Sequence, residues 1–127
     1  MDTPKLGPTY FEVVDPEGFR ILLTKRVWHG HVLGTDERAF RTGRFNREHV
    51  KRTIEDPAEI RQNQKSDRLN RVYFREWKGM DPLNRHLRIT AWIHEPESKV
   101  GFVTSVVPVV SVPPVDKTYG ERKVWPR

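Results

Sequence analysis

Between Arg71 and Val109 three alternating apolar stretches follow one another with only short breaks, and this pattern constrains the fold most. The stretches are Arg71–Trp77, His86–Glu95 and Lys99–Val109. Gly79 and Pro82 interrupt the first gap, and Pro96 the second. β-Branched and aromatic residues between Gly/Pro breaks read as strands, and connections this short join antiparallel neighbours. The expectation is therefore a three-stranded antiparallel meander. Alternation puts Leu87, Ile89, Ala91 and Ile93 on one face of the second strand, with Arg88, Thr90, Trp92 and His94 on the other. In the first strand Val72 and Phe74 oppose Arg71, Tyr73 and Arg75. One apolar sheet face and one face of arginines and aromatics are expected. The third strand is apolar on both sides except at Thr104-Ser105, a pair of hydroxyls that suggests a site.

Upstream, Tyr10–Val14 and Phe19–Leu23 flank Asp15-Pro16-Glu17-Gly18, where Pro presets φ and Gly accepts a positive φ. A β-hairpin is expected there. Lys25–Leu33 has helical spacing, with Val27/His31 and Trp28/Val32 four apart, although Gly30 weakens it. A second helix starts at Asn46, a good N-cap, carries Val50 and Ile54 on one face, and stops at Asp56-Pro57. Gln62–Asn70 lacks periodicity and reads as a loop, and Ser111–Arg127, with Pro113-Pro114, as an extended tail. The fold class expected is α+β: an N-terminal hairpin, two helices packed on the C-terminal meander, and a Pro-containing tail. One domain over residues 1–110 and a tail over 111–127 follow, which suits a chain of 127 residues.

Charge narrows the functional classes. The chain carries a formal +6 with a pI near 9.9. From Arg44 to Arg75 nine bases face five acids. Such an excess suits a polyphosphate partner. No cysteine is present, so disulfides and thiolate metal sites are excluded, and a reducing, cytoplasmic setting is expected. No apolar run approaches the ~18 residues of a membrane span, so no membrane partner is expected. His29 and His31 flank Gly30 without a carboxylate cluster nearby, so no metal site is expected. His49 falls in the first turn of the second helix, as a surface or capping residue.

A longer pattern joins these parts. Trp28-x-x-His31-Val32, then Thr53-Ile54-x-Asp56-Pro57-x-x-Ile60, Arg71-Val72-Tyr73-Phe74, Leu87-Arg88-Ile89 and Phe102-Val103-Thr104-Ser105-Val106 occur in this order. The pattern resembles the phage-associated barnase/EndoU/colicin/RelE-like (BECR-fold) family of ribonucleases, over residues 12 to 110. The resemblance implies a toxin-like RNA endonuclease that cleaves through the 2′-hydroxyl without metal or cofactor. It implies a cytoplasmic site of action, by a phage-encoded or delivered protein, and a cognate inhibitor protein as a further partner. His31 would then act as general base or acid, Arg71 or Arg75 would stabilise the transition-state phosphate, and Thr104 would bind or orient the phosphate. Lys51, Tyr73, Arg75, Arg88 and Ser105 would bind substrate. Thr35-Asp36-Glu37 stands where relatives carry His-Pro-Glu. Two other readings stand beside this one: an inactive RNA-binding or phage accessory domain on the same scaffold, and a small interaction domain.

Overall fold

In a computed structural model, residues 9–29, 45–65, 68–78 and 85–126 are described. The first hairpin pairs β1 (Thr9–Val14) with β2 (Arg20–Thr24). A single helical turn, α1 (Lys25–Val27), follows, capped by the Thr24 hydroxyl accepting from the Val27 amide. His31, Thr35-Asp36-Glu37 and the expected first helix beyond His29 lie outside the described residues. The second helix, α2 (Arg47–Glu55), starts where its cap signal stands. The Asn46 side chain accepts from the Glu48 and His49 amides, and His49 Nδ1 accepts from the Asn46 amide, which closes a capping box. Val50, Thr53 and Ile54 are buried on its inner face. At ~1.5–3 kcal/mol per buried aliphatic side chain, this burial rather than propensity holds a nine-residue helix.

The remaining strands are β3 (Glu59–Lys65), β4 (Arg68–Glu76), β5 (His86–Glu95), β6 (Val100–Val109) and β7 (Arg122–Trp125), the last preceded by a 3-10 turn, Lys117–Tyr119. They join one seven-stranded sheet in the order β1-β2-β6-β5-β4-β3-β7. The β2–β6 pair is parallel and every other pair antiparallel, so the sheet is mixed. This corrects the expected architecture of two helices on a three-stranded meander with a trailing tail. The meander forms only the middle of a larger sheet. Glu59–Lys65 extends it because the backbone is paired on both sides, to β4 and to β7, with no apolar face required. The expected tail supplies β7 and is anchored by Arg61, which donates to Glu59, to Glu121 and to the Pro113 carbonyl.

Register overturns the expected sorting of faces. Arg71 lies opposite Ala91 and Tyr73 opposite Ile89, whereas Val72 faces Thr90 and Phe74 faces Arg88. Opposed residues of antiparallel strands point to the same side. Arg71 and Tyr73 therefore project onto the apolar face beneath α2, and Arg88 shares the other face with Val72 and Phe74. A one-residue difference in alignment is enough to exchange the faces. The core gathers Val13, Ile21, Leu23, Val50, Ile54, Ile60, Ile89 and Val103 on the α2 side. Gly101 is required at the β5–β6 contact, where a Cβ would sit 2.7 Å from Ile93 Cδ1 and 2.9 Å from the Trp92 carbonyl oxygen.

Candidate functional site

Two polar clusters lie at opposite ends of the β1–β2 hairpin. The first grows from its turn. Asp15 Oδ1 accepts from the amides of Glu17 (2.8 Å) and Phe19 (3.0 Å), and Gly18 supplies the positive φ of 87°. The carboxylate's second oxygen faces inward. Asp15 Oδ2 accepts from the Tyr73 hydroxyl at 2.6 Å, from Arg71 Nη2 at 2.8 Å and from Arg71 Nε at 3.0 Å. Arg71 further donates to Glu17 Oε1 at 3.0 Å, to Gln62 Oε1 at 2.7 Å and to the Tyr73 oxygen at 3.2 Å. The Phe19 ring covers the guanidinium at 4.0 Å.

Arg71 is 1% exposed and Tyr73 0%. Burial works to lower the Arg71 pKa, but Tyr73, Asp15 and Glu17 outweigh it and hold the guanidinium above its ordinary value. Burial, helped by the Asp15 charge, pushes the Tyr73 phenol well above its usual value against the opposing pull of Arg71. Arg71 is thus a fixed cation and Tyr73 a fixed neutral donor. Beside them opens a cleft of about 1000 Å³ between the hairpin turn and β7, lined by Glu17, Phe19, Gln62, Arg71, Lys99, Arg122, Lys123 and Trp125 among others.

The second cluster is exposed and lies where β1, α1 and the start of α2 meet. The Tyr10 hydroxyl and His29 Nε2 are 2.5 Å apart. The Arg47 guanidinium stands over the Tyr10 ring at 4.0 Å, and the Lys25 ammonium at 5.4 Å. A shallow depression of about 470 Å³ runs from Tyr10 and Phe11 to Asn46, Arg47, Glu48 and Lys51. The N-terminal dipole of α2 adds to the cations there, which favours an anion. Sequence reasoning named Lys51 at this shelf but missed Tyr10, His29 and Arg47 as a group. Tyr10 falls at an irregularity in the β1–β2 register, between the Thr9–Thr24 and Phe11–Leu23 pairs, so alternation gave no direction for its side chain. The available signal was the nearness of His29 to the end of a strand whose hairpin partner begins at Thr9.

The other expected site residues are dispersed. Thr104 is exposed at a register shift and donates to the Thr90 carbonyl at 3.2 Å. Ser105 pairs with Thr90 and Arg88 with Val107 on the face opposite Arg71. Arg75 covers Trp77 at 4.2 Å and lies 3.8 Å from Asp56. The structure therefore does not bring Arg71 together with Thr104, and Arg71 has its donors committed to protein partners. His31 lies outside the described residues. Among the described residues no helix is long and apolar enough to cross a membrane. Comparison with known protein families, with curated proteins and with solved structures finds no match to this chain.

Proposed function

We propose that the protein is a metal-independent RNA endonuclease of toxin-like type whose site is the Tyr10–His29–Arg47 shelf. The observation that carries this reading is the hydrogen bond between Tyr10 and His29 beneath two cations. Cleavage through the 2′-hydroxyl needs one group to take its proton and another to protonate the leaving 5′-oxygen. An imidazole and a phenol in contact supply a proton acceptor and a proton donor. His31, the histidine that the sequence pattern marks as general base or acid, is two residues further along the chain. Arg47 and Lys25 are suited to the extra negative charge of the phosphorane-like transition state, and Lys51 to a neighbouring phosphate. Reaction in a cytoplasmic compartment fits a cysteine-free chain, and a cognate inhibitor would cover this basic shelf.

The test is digestion of a defined RNA in EDTA. The expected products carry 2′,3′-cyclic phosphate ends. His29→Ala and His31→Ala should each lower the rate at least about a hundredfold, the lower end of acid–base contributions. Cleavage untouched by both changes overturns the reading. A second reading, an inactive RNA-binding domain, is favoured by the separation of Arg71 from Thr104 and by the sequestration of Arg71. It predicts salt-sensitive RNA retention with no new ends.

A further inference from the structure

The cleft beside Arg71 has a chemistry of its own. Arginine only donates hydrogen bonds, so the Gln62 atom facing Arg71 Nη1 at 2.7 Å must be its carbonyl oxygen. That bond fixes the amide flip and leaves the Gln62 NH2 to the cleft it lines. The cations lining the cleft are Arg71, Lys99, Arg122 and Lys123, and the lining carboxylate, Glu17, is bonded to Arg71. Arg122 pairs with Gln62 across β3 and β7 and is exposed, as is Lys99. Lys99 holds a left-handed φ of 55°, a conformation that glycine adopts more cheaply, and its ammonium reaches the Glu17 carbonyl at 3.1 Å. Trp125, half-buried and opposite Ile60, supplies an indole wall. Committed donors, cations and an aromatic wall in one concavity suit a ligand that is anionic, rich in acceptors and planar at one end.

We infer that this cleft binds a nucleotide, with its phosphate on Arg122, Lys99 and the Gln62 amide and its base against Trp125. A volume of about 1000 Å³ accommodates a mononucleotide with space for a second unit. The ligand is either a free nucleotide or the phosphorylated end of an RNA strand, since both present the same group. Arg71 acts here as a positioning residue, because it orients Gln62 without reaching the ligand. The site lies at the opposite end of the hairpin from the shelf and stands independently of the cleavage reading.

Titration calorimetry on the whole chain tests this with uridine 5′-monophosphate, uridine, inorganic phosphate, and oligouridylate with and without a 5′-phosphate. The monophosphate should bind more tightly than either uridine or phosphate. Arg122→Ala and Lys99→Gly should each weaken it about tenfold, the usual worth of one charge-assisted hydrogen bond. Lys99→Gly should do so without lowering the melting temperature, because it relieves the left-handed backbone. Gln62→Glu keeps an oxygen for Arg71 but turns a second acceptor toward the phosphate, and should abolish binding while the protein stays folded. His29→Ala should leave the affinity for the monophosphate unchanged, which separates failure here from failure of the shelf. With the His29→Ala chain, which should not cut the RNA, tighter binding of the 5′-phosphorylated oligonucleotide than of both its unphosphorylated form and the monophosphate assigns the site to strand ends; no gain over the monophosphate assigns it to free nucleotides. The inference is overturned if the monophosphate binds no better than uridine or phosphate, or if Arg122→Ala and Gln62→Glu leave its affinity intact.

Discussion

The Asp15–Arg71–Tyr73 cluster and the Tyr10–His29–Arg47 shelf use similar residues in opposite states. Each sets an arginine near a tyrosine whose hydroxyl meets another polar side chain. In the first, the arginine is 1% exposed and donates to Asp15, Glu17, Gln62 and Tyr73. In the second, the arginine is exposed and rests on a ring face. A buried charge that already has its partners holds strands together and fixes neighbouring groups. An exposed one keeps donors for a ligand. Residue type therefore says less about role than whether hydrogen-bonding capacity is already committed.

Stability measurements offer the strongest way to break this contrast. Arg71→Met should destabilise the fold by about 3–5 kcal/mol in urea unfolding, because the Asp15 carboxylate stays buried without its cation. Arg47→Ala should change stability by no more than about 0.5 kcal/mol. Equal costs for the two would erase the distinction. Tyr73→Phe should cost about 1–2 kcal/mol, since Asp15 Oδ2 loses one donor and keeps Arg71.

The same phenol makes an alkaline prediction. Its folded pKa is raised, so its contribution is complete below the ordinary value of 10.0 and is lost as pH climbs above it. Absorbance titration should show one of the three tyrosines ionising only as the protein unfolds.

A smaller effect belongs to His49, wedged edge-on between Phe45 and Trp77. Burial first, then the Arg75 charge, lower its pKa below the ordinary 6.5, against the opposing pull of Glu48. The unfolded chain binds the proton more readily, so stability should decline as pH falls through 6.5 and level off below the folded pKa. His49→Gln, which preserves the capping box, should flatten that slope. Smallest of all, Arg47→Ala should reduce the salt dependence of RNA binding by about one phosphate contact. No change in that slope would remove Arg47 from the interface.

Parts of this fold were legible in the sequence. The Asn46 cap, the Val50/Ile54 stripe and the stop at Asp56-Pro57 are local signals, and α2 runs from Arg47 to Glu55 accordingly. The hairpin turn at Asp15–Gly18 is equally local, and it forms. What failed was whatever depends on a distant partner. Alternation within β4 and within β5 was visible, but which side of one matched which side of the other was fixed only by register. β3 carries Arg61-Gln62-Asn63-Gln64, a run without alternation, and is a strand because β4 pairs along its whole length and β7 along Ile60–Gln62. The turn role of Asp15 was readable, but its second carboxylate oxygen meets a residue 56 positions away. The expected trio of His31, Arg71 and Thr104 treated Arg71 as available, and burial is what denies it that role.

The parallel pairing of β2 with β6 also sets an order in time. Arg20 meets Val100 and Leu22 meets Phe102, about eighty residues further along the chain. At roughly 5–20 residues per second, a ribosome takes on the order of 4–16 s to deliver the second strand after the first. The hairpin is synthesised first, and its β2 edge has no partner until residues 100–102 emerge. A nascent chain halted before residue 100 should leave the amides of Arg20 and Leu22 open to solvent exchange, and release beyond Val109 should close them.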